Sequence, residues 1–130
     1  MLQRDYLVRL IERIFTILQR ALDRQKAGDH REAREAVFEG YAAIPGIDRA
    51  LLEALDTPTV LSLVREPQLV RVLARLRATE AEILASLDQH DDALRLAKHS
   101  IVLYGNVGMG DDIDDVATVR RMLAFVEAQS

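Results

Sequence analysis

Along almost the whole chain apolar residues recur at intervals of three and four, the spacing of one face of an α-helix, with no strand signal worth counting. From about Leu2 to Lys26 the rule is followed by Leu7, Leu10, Ile11, Ile14, Phe15, Ile17, Leu18, Ala21 and Leu22. At about 100° per residue these positions sweep an arc of roughly 200°. A single packed neighbour needs less. The pattern therefore predicts a first helix covered on two sides, by the rest of its domain or by a second copy of the chain.

Gly28-Asp29 interrupts the pattern, and a second helix follows to about Ala43, with Ala33, Ala36, Val37, Gly40, Tyr41 and Ile44 as its inner face. Pro45-Gly46 stops it. A short helix is expected from Asp48, as N-cap, to Leu55, burying Leu51, Leu52 and Leu55. Thr57-Pro58 reads as a cap followed by Pro at the first helical position, with Val60, Leu61 and Val64 as one more apolar turn. After Glu66-Pro67 a long helix is expected from about Gln68 to Leu87 through Leu69, Val72, Leu73, Leu76, Ile83 and Leu84. The next runs from about His90 to Tyr104, and Gly105 to Gly110 reads as a flexible loop. A last helix from about Asp112 to Ala128 is predicted to turn Ile113, Val116, Val119, Met122, Leu123 and Val126 inward. The expectation is one all-α domain over residues 1–130, with five long helices and one or two short ones.

Two segments repeat one pattern. His30, Ala33, Gly40 and Pro45, preceded in the first segment by Gly28, match His90, Ala93, Ser100 and Gly105 at a constant offset of 60 residues, with small residues where two helices cross closely. Each segment resembles the turn and second helix of a tetratricopeptide hairpin, with Gly105 in the place of the Pro that ends the second helix. The resemblance implies antiparallel helical hairpins and a binding scaffold. The units stand further apart than the repeat length of about 34 residues in a tandem array, and the first helix of each matches poorly. At the N-terminus, Gln3-Arg4-Asp5-Tyr6-Leu7-Val8-Arg9-Leu10-Ile11-Glu12, followed by the first hairpin and residues 47–63, resembles an uncharacterised bacterial family of small helical proteins. That family's Asp-Tyr-Leu-Met-Arg-type start precedes a tetratricopeptide-like body, and Val8 stands where its Met would be. This second resemblance supports the fold and implies no activity.

Composition narrows the function classes. With 130 residues, 49% hydrophobic and 29% charged, the chain can bury one sizeable core. A formal charge of −4 argues against a nucleic-acid partner. There is no Cys, so thiol nucleophiles and thiolate metal sites are excluded and a cytoplasmic setting is the simpler expectation. The N-terminal residues do not read as a signal peptide, and no apolar stretch reaches a membrane span of about 18 residues, so no membrane association is expected.

Several constellations bear on chemistry. Glu32 and Glu35 on the second helix, and Glu53 and Asp56 at the third, share helical faces pairwise and are similar to the acidic motifs of all-α nucleotide pyrophosphohydrolases. Two such pairs together would hold Mg²⁺ through carboxylate oxygens. Asp111, Asp112, Asp114 and Asp115 spell the aspartate-rich motif of prenyl-diphosphate enzymes, but acidic residues in a first helical turn are favourable against the helix dipole anyway. His90-Asp91 with His30 or His99 suggests a histidine-aspartate phosphohydrolase, an idea weakened by the repeat equivalence of His30 and His90. The Gly105–Gly110 segment lacks the Lys-Ser/Thr of a P-loop. Arg9, Arg13, Arg20 and Arg24 line the first helix and offer a face for an acidic peptide, or a solvated face of ion pairs such as Asp5 with Arg9. With only two lysines, Lys26 and Lys98, the lysine-asparagine clamp by which some tetratricopeptide domains hold a C-terminal carboxylate is not carried over.

The leading expectation is a non-enzymatic tetratricopeptide-like module that binds a protein or peptide and self-associates through its N-terminal helix, with no cofactor, metal or catalytic residue. The alternative is a small Mg²⁺-dependent pyrophosphohydrolase using Glu32, Glu35, Glu53 and Asp56.

Overall fold

The computed structural model describes residues 3–109 and 112–129, and every element within them is a helix. In order these are α1 (Arg4–Lys26), α2 (His30–Ala43), α3 (Arg49–Ala54), α4 (Thr57–Leu63), α5 (Pro67–Ser86), α6 (His90–Val107) and α7 (Ile113–Ala128). Met1, Leu2, Gly110, Asp111 and Ser130 lie outside the described residues.

Local chemistry sets the boundaries. The carboxylates of Asp29, Asp48, Asp56 and Asp112 accept backbone N–H bonds from the first turns of α2, α3, α4 and α7. The cap of α4 is thus Asp56, one residue before the expected Thr57, and its side chain accepts from Thr59 N at 2.9 Å. α6 also departs from expectation, passing through Gly105 to Val107. It ends at Gly108, whose φ of +74° suits a residue without a side chain. The Arg71 guanidinium closes that end, donating to the carbonyls of Gly108 at 2.8 Å and Val107 at 3.0 Å.

The turns α1–α2 and α5–α6 have the same structure residue for residue. Gly28 and Asp88 both take left-handed backbone, at φ +81° and +60°. Asp29 N reaches Arg24 O, and Gln89 N reaches Leu84 O, each at 2.9 Å. Ala33 N then bonds Asp29 O and Ala93 N bonds Gln89 O, each at 3.0 Å. The 6→1 bonds of Asp29 N and Gln89 N end the first helix of each pair and let the chain reverse within three residues, and the bonds of Ala33 N and Ala93 N open the next.

Packing repeats as well. α1 pairs with α2, and α5 lies against both; α5 pairs with α6, and α7 lies against both. α5 is therefore the shared middle helix, buried on most of its surface, with Arg77, Thr79 and Glu80 buried among its apolar residues. Small residues permit the crossings. A Cβ added at Gly40 would sit 2.6 Å from Leu76 Cδ2, and Ser100 Oγ donates to Ala74 O at 2.7 Å. The main core spans α1 to α5 and takes in Leu103 and Tyr104 of α6, and a smaller, alanine-rich cluster joins α5, α6 and α7 around Met122.

α2 and α5 cover most of the wide apolar arc of α1, leaving Phe15 38% exposed. Leu10, Ile14, Ile17, Leu18 and Ala21 are buried, and Leu7 and Ile11 pack against the core. Four residues expected to be covered are on the surface: Phe15, Leu51, Leu123 and Ile113, the last 79% exposed. α7 instead buries Asp115, Thr118 and Met122, because its inner face is rotated from the all-apolar one the spacing suggested.

Candidate functional site

Two arrangements stand out: a groove along α1, α5 and α7, and a polar network on the opposite side of α5.

The groove consists of three cavities of about 310, 260 and 390 Å³ that share their walls. Phe15, Arg75 and Asp112 line both the first and the second, while Leu22, Thr79 and Arg121 line both the second and the third. Val8, Ile11, Phe15, Val72 and Met109 give one end an apolar floor, and Met122 and Phe125 give one to the other. Val8 is 43% and Phe15 38% exposed, large apolar surface that a solvated helix has no need of. Part of the charge along the groove is paired within the chain: Arg75 lies 3.6 Å from both Asp114 and Asp115 and 5.0 Å over the Phe15 ring, and Arg121 pairs with Glu82 at 3.3 Å, while Glu12 and Asp112 leave the lining acidic on balance. Buried Asp115 accepts the Tyr104 hydroxyl at 2.6 Å. Its carboxyl is pushed above the usual range by burial, against the pull of Tyr104 and Arg75, and burial with Asp115 raises the Tyr104 phenol.

The network centres on two carboxylates. Glu80, fully buried, accepts from Tyr41 Oη at 2.8 Å and Arg49 Nη2 at 3.0 Å. Glu53 on α3 accepts from Arg77 Nη1 at 2.9 Å and also from Arg95, so one short helix ties α5 to α6. Burial opposes the Glu53 charge, but hydrogen bonding and attraction from Arg77, assisted by Arg95, outweigh it and lower its pKa. Arg77 Nε also donates to His99 Nδ1 at 3.0 Å. Burial, then the Arg77 charge, push His99 down to about 4, so it is a neutral acceptor here.

The acidic residues proposed for Mg²⁺ have other partners. Glu32 pairs with Arg24 at 3.2 Å, Glu35 with Arg31 at 3.4 Å, Glu53 with Arg77 and Arg95, and Asp56 caps α4. No group of three or more metal-ligating side chains assembles among the described residues. The arginine stripe divides. Arg20 and Arg24 face Glu39 and Glu32 of α2, so half of the stripe and part of the acidic set neutralise each other. Arg9 donates to the Asp5 carbonyl rather than its carboxylate, and Arg13 is exposed.

The three histidines do not converge. His30 meets Gln25 at 2.6 Å, exposed His90 lies 3.6 Å from Asp88, and His99 belongs to the network. Of the aspartate run, Asp112 caps α7 and Asp115 is an inner-face residue, while Asp111 lies outside the described residues. The polar network went unread in the sequence although a signal was there. Positions 73, 76, 80, 83 and 84 form a single three-and-four series, which puts Glu80 on the buried face.

Among the described residues no helix is long and apolar enough to cross a membrane. Compared with known proteins, the chain matched no family model, no curated protein and no solved structure.

Proposed function

We propose that the chain is a non-enzymatic, tetratricopeptide-like module that binds an apolar segment of a protein partner in the α1–α5–α7 groove. The observation that carries this reading is the continuous groove itself, floored by exposed Val8 and Phe15 and edged by residues that are acidic on balance. A floor of this kind recognises apolar side chains through the exposed apolar surface it buries. The matching turns and the repeated packing of α1, α2 and α5 by α5, α6 and α7 support the repeat assignment. The engagement of Glu32, Glu35, Glu53 and Asp56 in ion pairs and a helix cap weighs against the pyrophosphohydrolase alternative.

Selection of displayed peptides against the protein tests the proposal. Enriched peptides are expected to carry spaced apolar residues and to bind at least tenfold more weakly to Phe15→Asp and Val8→Asp. Peptides that bind these variants as well as the native chain would place recognition elsewhere. Sedimentation of the same variants covers the other occupant of the groove, the α1 of a second copy: an oligomer that dissociates in both variants would replace the partner reading with self-association.

A further inference from the structure

Beyond the groove, we propose that Arg34 and Arg49 form a binding site for an oxyanion, a carboxylate or a phosphate, on the side of the molecule where α2 meets α3. Three arginines, Arg34, Arg49 and Arg77, surround the one carboxylate of Glu80. That carboxylate is already satisfied, by Tyr41 at 2.8 Å and Arg49 at 3.0 Å. Arg34 stands off at 3.7 Å and makes no hydrogen bond to it. Arg77 is engaged by Glu53, which Arg95 also shares, and Arg95 has only the rim residue Asp92 at 3.7 Å besides. Four guanidinium groups thus face Glu53, Glu80 and Asp92. One positive charge is left over in a chain whose formal charge is −4, and it lies at Arg34.

The geometry holds this surplus in place. The guanidinium groups of Arg34 and Arg49 lie over the same Phe38 ring, 5.2 and 4.4 Å from its centre. Both Nε atoms are buried without a hydrogen-bond acceptor. Each side chain nevertheless keeps about a third of its surface open to solvent, 33% and 34%. Two like charges that share one ring and one carboxylate, with donor capacity that the carboxylate does not use, are unfavourable for folding. They match what an incoming oxyanion supplies: negative charge and acceptor lone pairs for paired guanidinium groups.

Inorganic phosphate and succinate, each compared with sodium chloride at equal ionic strength, probe the site and separate its two ligand classes. The native chain should show a saturable rise in Tm of about 4 °C with at least one of them near ten times its Kd, with matching shifts of the Arg34 and Arg49 Nε–H resonances. Arg34→Gln should lose the response, and Arg34→Lys should keep part of it. Without added anion, Arg34→Gln should melt no lower than the native chain, since it removes a surplus charge. A response equal in Arg34→Gln, no response beyond chloride, or a lower Tm of Arg34→Gln without anion would each overturn the proposal; the last would make Arg34 a structural partner of Glu80.

Discussion

His99 illustrates how much a single side chain's surroundings decide. Its ordinary pKa is near 6.5, and in the fold burial and Arg77 depress it to about 4. As pH falls the unfolded chain takes up this proton first, so the contribution is complete above about pH 6.5 and is lost between there and pH 4. With partial solvent screening it amounts to on the order of 2 kcal/mol. Urea unfolding at pH 7 and pH 5 should show the native chain losing more stability than His99→Asn, which keeps an acceptor for Arg77 Nε but does not titrate. Parallel losses in the two proteins would refute this. Gly40 and Gly105 make the same point through volume. At Gly40 a new methyl meets Leu76, itself fully buried, and overpacking should outweigh the helix propensity gained, so Gly40→Ala is expected to cost about 1 kcal/mol. At Gly105 nothing lies within 4 Å and the backbone is helical, so Gly105→Ala should stabilise by about 0.5–1 kcal/mol. Thermal melts of the two variants should shift in opposite directions. The sequence shows two glycines of equal helix propensity. Only the neighbour across the crossing distinguishes them.

At the scale of elements, the helix pattern was legible because caps and periodicity are local. Errors fell where a tertiary partner overrode a local signal. Gly105 reads as a stop, yet the Arg71 fork around the end of α6 lies 36 residues away in sequence from Val107. α7 reads as facing inward through Ile113 and Leu123, yet Tyr104 and Arg75 provide partners for Asp115 and turn a different face to the core. In the paired turns the backbone match extends to a position that the sequence pattern does not pair. Asp88 occupies the position filled by Gly28, in left-handed backbone that L side chains adopt at a cost. Asp88→Gly should therefore stabilise by about 0.5–1 kcal/mol, and Gly28→Ala should destabilise by about 1 kcal/mol although no atom lies within 4 Å of the added methyl. Chemical denaturation of both variants checks the pair. A neutral Gly28→Ala would mean that the turn tolerates a different backbone, and that the match between the two turns is not structurally enforced.

For the whole molecule, repeated packing and a shared helix pull in opposite directions. A chain of stacked hairpins in contact only with neighbours can unfold piecewise. Here α5 belongs to both halves: Leu69, Leu73, Leu76 and Ile83 lie in the main core, and Ala78, Ala81 and Leu84 in the cluster around Met122. Glu53 adds a second tie by joining α3 to both α5 and α6. Losing it would leave Arg77, 2% exposed, with the more distant Glu80 at 3.9 Å as its charge partner, at a cost of about 3 kcal/mol. Because neither half can lose α5 and keep its core, the native chain should unfold in one transition, with helix content and tyrosine fluorescence changing together in urea. Glu53→Gln should lower the midpoint and still give one transition if α5 is the main coupling. Two separated transitions in that variant would show instead that the Glu53 bridge carries the cooperativity, and that α5 alone does not bind the halves into one unit.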